Sequence, residues 1–349
     1  MFDKTTWIRL PRNVVVGHGV LDRTVEAVSE LHLHGRPLVV TSPTPRKVAA
    51  DRVAADFEAA GDDPAVVEID EASFESVQRV IDVAREVDAG YLVGVGGGKA
   101  IDIAKMASDE IGRGFVSVPT AASHDGIVSG RGSVPEGDTR HSVAAEPPLA
   151  VVADTEILAD APWRLTTAGC ADIISNYTAV KDWRLANRLQ NVEYSHYAAA
   201  LAEMTAEMLV DNADSIKQGL EESAWVVVKA LLSSGVAMSI ATSSRPASGA
   251  EHLFSHQLDR MVPEAALHGH QVGVGTIVAE YLHGGDWRGV RDALATIGAP
   301  TTAEELGIDD ETVVAALTAA HEIRDRYTIL GNGMNEEAAV EAAETTGVI

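Results

Sequence analysis

Residues 90–105 read GYLVGVGGGKAIDIAK: a short β-branched run ends in Gly94, Gly96, Gly97 and Gly98, and a helical pattern starts near Lys99. A strand that passes into a helix through glycines is a building block of parallel α/β sheets. The preceding segments keep the same alternation, with strands expected at PLVVT (37–41) and AVVEI (65–69) and helices near 45–60 and 73–87. FVSVP at 115–119 and LAVVAD at 149–154 extend the sheet, and RGSVPEGDTRHSV at 131–143 carries the turn residues of a hairpin insertion.

From about residue 162 the period becomes helical, with expected helices at 190–212, 223–243, 247–261, 270–283, 286–297 and 309–323. The change near Asp160–Pro162 divides the 349 residues into an α/β domain, 1–160, and a helical domain, 161–349. The expected fold class is a Rossmann-like N-terminal domain with a parallel sheet plus an all-α C-terminal domain. No internal repeat or low-complexity tract interrupts it.

Glycines let a backbone approach a phosphate closely, and the free N–H groups at the start of the following helix then bind it. The turn departs from two common signatures, because G-x-G-x-x-G needs glycine where Lys99 stands and the P-loop needs Ser or Thr where Ala100 stands. That argues against ATP. After the PLVVT strand, TSPTPRK (41–47) has no acid for an adenosine ribose but has Arg46 and Lys47, so NADP is admissible beside NAD.

The formal charge of -25, from 52 acidic and 27 basic residues, repels nucleic-acid phosphates and anionic lipid surfaces, and no basic patch offsets it. Acidic residues spread through the helical patterns suggest adaptation to high salt, the alternative being an ordinary acidic enzyme. Cys170 is the one cysteine, which leaves neither an intrachain disulfide nor a cysteine zinc site. The N-terminus has no signal-like apolar run, and AWVVVKALLSSGVAMSIA (224–241) carries Lys229 and several serines. It is expected to be a buried helix in a cytoplasmic protein with no integral membrane segment.

Four of the twelve histidines, His252, His256, His268 and His270, lie in SGAEHLFSHQLDRMVPEAALHGHQVGVGT (248–276). His252 and His256 are spaced i, i+4, so on a helix they share one face and could both reach one ion. His268 and His270 stand after Pro263 at an expected break before the next helix. Asp172 lies in the apolar run AGCADIISNYTAV, where an acid is costly unless it is paired or holds a cation. Two or three histidines with an aspartate suit a divalent ion such as zinc, and three protein ligands leave a position open for substrate. Such an ion can polarise a carbonyl beside a nicotinamide.

With these motifs in view, the chain resembles the metal-dependent polyol dehydrogenases, a group that includes glycerol dehydrogenase and, more distantly, dehydroquinate synthase. Within it the sequence is most similar to the archaeal sn-glycerol-1-phosphate dehydrogenases. The resemblance rests on GGGKAID (96–102), PTAASHDGIVS (119–129), VVADTEIL (151–158), AGCADIISNYTAVKDW (168–183) and the histidine stretch, in family order over most of the chain. It implies reversible reduction of dihydroxyacetone phosphate to sn-glycerol 1-phosphate with NADH or NADPH, for archaeal membrane lipids. It further implies one zinc per subunit, a Lewis acid held by Asp172, His252 and His268. Asp125, Asp172 and His256 become substrate contacts; the proton for the new hydroxyl could come from Asp125, from His256 or from a metal-bound water relay, each of which has the protonation chemistry. Gly98, Lys99, Ala100, Ile101, Asp102, Thr120, Ala121, Ala122, Ser123 and Ser129 become cofactor-binding positions, and the enzyme is expected to be a homo-oligomer.

Gly130, Arg131 and Gly132 depart from the small or apolar residues expected after SHDGIVS. Arg131 is read as a solvent-facing hairpin residue, with contact to the substrate phosphate as the alternative, and His270 as a structural histidine. The rival functions are glycerol dehydrogenase acting on the unphosphorylated substrate, a dehydroquinate-synthase-like lyase without net oxidation, and a non-catalytic binder that kept the fold.

Overall fold

The computed structural model describes residues 5–136, 139–263 and 266–349. Six strands, β1 (Asn13–Gly17), β2 (Arg36–Thr41), β3 (Ala65–Glu68), β4 (Ala89–Gly96), β5 (Gly114–Pro119) and β8 (Ala150–Asp154), form one sheet. β6 (Arg131–Glu136) and β7 (Thr139–Ala144) pair separately as the expected hairpin, whose residues 137 and 138 lie outside the described residues. The order in the large sheet is β1-β8-β5-β4-β2-β3, and every pairing is parallel.

Parallel strands covered on both faces have no polar side, which is why PLVVT and YLVGV read as continuous apolar runs instead of alternating ones. Leu38, Val39, Val40, Leu92 and Val93 are all buried, with Val39 in register between Val66 and Val93. One face packs Leu21, Val28, Val53, Phe57 and Tyr91 against Val93, Val116 and Val152. β1 (NVVVG) was not among the expected strands; it lies at the sheet edge beside β8, as β3, which AVVEI did announce, lies at the other. Asp154 at the end of β8 fixes the chain after β1 by accepting hydrogen bonds from the backbone N–H groups of Gly19 and Leu21.

After β8 come helices Trp163–Ile174, Asn176–Gln190, His196–Asp211, Glu221–Ala241, Ala250–Met261, His268–Leu282, Trp287–Ile297, Asp310–Ala319 and Glu336–Thr346. The helix expected at 190–212 begins instead at His196. Asn191 terminates the preceding helix in the left-handed region, at φ 54°, and the Ser195 side chain caps the new one by accepting from the Ala198 N–H. The helix expected from residue 270 already starts at His268, so this histidine belongs to a first helical turn, not to a break before it.

The described residues form two compact units. One takes in the chain up to Trp163, apart from the hairpin tip, together with Gln218–Gly235; the other takes in Arg164–Lys217 and Val236–Ile349. The helix Glu221–Ala241 is the one described helix long and apolar enough to cross a membrane, and 56% of its most apolar window is buried. Its Ser234 hydroxyl donates to Asp125 Oδ2 at 3.0 Å.

Cys170 is fully buried in Trp163–Ile174, and burial pushes its thiol up to about 12. Ellman's reagent is expected to leave the folded protein untouched at pH 8 and to titrate one thiol after denaturation. Rapid labelling of the folded enzyme would contradict the packing of this helix.

Candidate metal centre and cofactor turn

The strand order of the large sheet reverses between β2 and β4, since β2 leads outward to β3 and β4 leads the other way to β5. Ligands of open parallel sheets bind outside the carboxyl ends of the strands at such a point. The glycine turn stands there. Gly97 is the N-cap of Gly98–Glu110 and supplies no side-chain cap, so the first N–H groups of the helix keep their donor capacity. A Cβ at Gly97 would meet nothing within 4 Å, whereas one at Gly98 would fall 2.0 Å from His124 Nε2. The turn is therefore open at Gly97 and closed by the His124 ring at Gly98.

The predicted cofactor positions separate into two kinds. Ala100, Ile101 and Asp102 are buried, so whatever they give a ligand must come through the backbone or through position. The Asp102 carboxylate is already engaged, accepting from Lys105 Nζ at 3.2 Å and from the Ser133 N–H at 3.1 Å. Lys99 is exposed and donates from Nζ to the Asp70 carbonyl. Thr120, Ala121, Ala122 and Ser123 follow β5, where the Thr120 N–H bonds the Gly96 carbonyl and ties this loop to the turn. Ser129 Oγ is buried without a hydrogen-bond partner, the mark of a group that a ligand can satisfy.

Arg46, the residue that made NADP admissible, is an exposed arginine already paired with Asp51 at 3.0 Å and Glu68 at 3.5 Å. Arg131 contributes its carbonyl to Lys105 Nζ. Asp125 opens a short 3₁₀ turn, Asp125–Ile127, for which His124 is the cap, its Nδ1 accepting from the Gly126 N–H at 2.8 Å.

The candidate metal residues come from three helices. Asp172 lies on Trp163–Ile174, His252 on Ala250–Met261, and His268 opens His268–Leu282; one ligand atom from each lies within 4.8 Å of the others. His252 Nε2 is 3.6 Å from Asp172 Oδ1. Glycines permit this approach. A Cβ at Gly269 would sit 2.1 Å from the Ala168 carbonyl oxygen, and one at Gly275 would press on Phe254 and on the Glu251 backbone at 2.9–3.1 Å.

Hydrogen bonds decide which nitrogen of each ring faces inward. His252 Nδ1 is 3.0 Å from Glu251 Oε1, so it carries the proton and leaves the Nε2 lone pair toward Asp172. The Ser255 hydroxyl donates to Gln271 Oε1 at 2.6 Å, so its oxygen accepts from His268 Nδ1 at 2.9 Å, again leaving Nε2 for a ligand bond. Two neutral imidazoles presenting Nε2 beside a buried carboxylate suit a divalent cation, and the residues present fit the metal that the resemblance implies.

His256 is close but separate. Its ring lies 6.4 Å from that of His252 and stacks on that of His268 at 5.6 Å, whereas His252 and His268 are 5.1 Å apart. His270 faces elsewhere, its Nε2 2.8 Å from Thr167 Oγ1, and burial pushes its pKa down to about 4, so it is a neutral structural residue at working pH. Glu251, Ser255 and Gln271 were missed in the sequence. An acid directly before a ligand histidine was the one available signal.

Residues 15–162 match the family described as iron-containing alcohol dehydrogenase. Over its whole length, and the whole length of the relative, the chain is 78% identical to the glycerol-1-phosphate dehydrogenase [NAD(P)+] of Haloarcula marismortui. The chain belongs to the glycerol-1-phosphate dehydrogenase family. The enzyme of the same name from Halobacterium salinarum strain R1 is 76% identical, again over both full lengths, and that of Methanococcoides burtonii is 56% identical over 98% of this chain and 96% of its own. A crystal structure of a probable glycerol dehydrogenase from Sinorhizobium meliloti shares the fold, with a TM-score of 0.80, 22% identity and 98% of each chain covered. Glycerol dehydrogenase from Schizosaccharomyces pombe shares it as well, with a TM-score of 0.76 and 20% identity over 99% of this chain and 91% of that one. Membership in the glycerol-1-phosphate dehydrogenase family gives the glycine turn and the aspartate–histidine cluster a common context, that of a metal-dependent nicotinamide enzyme.

Proposed function

We propose that this chain catalyses the reversible NAD(P)H-dependent reduction of dihydroxyacetone phosphate to sn-glycerol 1-phosphate. Its full-length identity of 78% to an enzyme of that name is the observation that carries this reading. Residues 1–160 serve as the NAD(P)-binding domain and 161–349 as the metal- and substrate-binding domain. Zinc is the ion, one per subunit, held by Asp172, His252 and His268. When bound, it supplies Lewis acidity at the substrate carbonyl.

The residues of the chain supply binding, orientation and the proton. N–H groups at Gly98 and Lys99 receive the cofactor diphosphate, and the Ser129 hydroxyl gains a partner from the cofactor. Asp125, held by the Ser234 hydroxyl, and His256, beside His268, contact the substrate. A reduced nicotinamide, when bound, would supply the hydride that reduces substrate C2. Asp125, His256 or a water relay delivers the proton that completes the new hydroxyl at the C2 oxygen. The charge of -25 and the relatives from Haloarcula and Halobacterium support an enzyme adapted to high salt, and the single free cysteine suits a reducing cytoplasm. We assign a homo-oligomeric state.

Oxidation of NADH and of NADPH is to be followed with dihydroxyacetone phosphate and with dihydroxyacetone, at low and molar salt, with chiral analysis of the product. Turnover of the phosphorylated ketone to the sn-1 enantiomer is expected. Preference for dihydroxyacetone would move the chain to the glycerol dehydrogenase reading, and turnover without net NAD(P)H consumption to a lyase.

A further inference from the structure

We propose that Glu251 is a positioning residue of the metal centre, a buried carboxylate that holds His252 in the Nδ1–H tautomer and supplies the second negative charge needed to balance a divalent ion. The proposal rests on the reading of Asp172, His252 and His268 as ligands. Glu251 has no exposed surface, and its two oxygens are divided between different tasks. Oε1 accepts from His252 Nδ1 at 3.0 Å and from the backbone N–H of Gly249; Oε2 accepts from the Thr178 hydroxyl at 2.7 Å. With its direction set by Gly249 and Thr178, the carboxylate dictates how the His252 ring turns.

A helix-capping role alone would not explain this arrangement. The Ala250 N–H at the same helix start is already taken by Asp182 Oδ2 at 2.7 Å, so a second buried acid there is expensive unless a positive charge offsets it. Asp182 has its own partner in His283 at 2.9 Å, so with neutral ligand imidazoles Asp172 and Glu251 contribute two negative charges, which one divalent cation cancels. The other ring is treated differently. His268 Nδ1 rests on the neutral Ser255 hydroxyl, which leads through Gln271 Oε1, while Gln271 Nε2 donates to Asp259 at 3.2 Å. One ligand histidine is thus backed by charge and the other by a neutral relay, and the charged side is the one that makes the 3.6 Å approach to Asp172. A carboxylate behind a ligand imidazole raises its basicity and fixes its orientation, and losing such a partner weakens metal binding about 10–100-fold.

Glu251→Gln keeps the shape and an acceptor oxygen for His252 and removes the charge. Apo-protein titrated with Zn2+ against a chromophoric chelator is expected to bind it about ten- to a hundredfold more weakly in this variant. The melting midpoint of the apo-protein should stay level or rise, because no cation offsets the buried Glu251 charge there; NADH binding by fluorescence should stay near that of the unaltered chain, and saturating Zn2+ should restore most turnover. A Zn2+ affinity within about twofold of the unaltered chain overturns the proposal, and a loss of apo-protein stability with unchanged affinity reassigns Glu251 to the helix start. If the variant does not fold, 15N-histidine spectra of the zinc-loaded unaltered protein decide the matter: His252 should carry its proton on Nδ1, and a metal-bound Nδ1 refutes the assignment. His252→Ala that keeps Zn2+ at unchanged affinity would instead sink the ligand reading itself.

Discussion

Alanine at His252 is expected to abolish stoichiometric zinc retention and to lower turnover by on the order of a thousandfold. The loss follows from removing one of the three proposed ligands, whose donor atoms lie within 4.8 Å of one another, and Lewis-acid stabilisation of developing charge is worth several kcal/mol. His268→Ala should behave alike, because its Nε2 is the second of the two inward-facing nitrogens. His256→Ala is the contrasting case. It should keep its zinc and lose substrate affinity or rate, since its ring stacks on His268 without joining the ligand group. Metal analysis by plasma emission after exhaustive dialysis, run beside kcat and KM, separates the outcomes. Full zinc in an active His252→Ala enzyme would refute the metal set, and a metal-free His256→Ala would show that the i, i+4 pair ligates jointly.

Lys105→Ala is expected to destabilise the protein by about 3–5 kcal/mol, the cost of leaving one partner of a buried ion pair alone. Lys105 is fully buried, and its ammonium donates to Asp102 and to the carbonyls of Gly126 and Arg131. One side chain thereby ties the glycine-turn helix to the segment that begins at Asp125 and to the start of the hairpin. Removing it leaves a buried carboxylate with the Ser133 N–H as its remaining partner among these contacts, and two carbonyls without their donor. The double variant Lys105→Met with Asp102→Leu removes both charges, so it should unfold at a higher denaturant concentration than Lys105→Ala. Urea midpoints at fixed salt test the order. A Lys105→Ala protein as stable as its parent would show that the ion pair does not hold this loop.

Much of the fold was legible because local chemistry and tertiary environment agree. Parallel strands buried on both faces must be apolar throughout, so PLVVT and YLVGV announced themselves, and the glycines after YLVGV marked the turn that the strand-order reversal brings to the ligand end of the sheet. Asp172 stood out as an acid in an apolar run. One exception has a local cause as well. The boundary near Asn191 depends on one left-handed residue and one serine cap, which a smooth helical period does not reveal.

By itself the sequence determined the α/β-then-helical order, the place of the glycine turn between strand and helix, and the kinds of side chain available to a metal. It left the partnership among the histidines open, because i, i+4 spacing puts His252 and His256 on one face and says nothing about a third helix. Tertiary structure decided that. Gly269 and Gly275 let His268–Leu282 press against the helices carrying Asp172 and Glu251–His252, bringing His268 closer to His252 than its own helix neighbour is. The choice of ring nitrogen is tertiary too, since it follows from where Glu251 and Ser255 come to rest. A hydrogen-bond partner across a packed interface is set by the distance between backbones, and that distance is fixed only when the helices have docked.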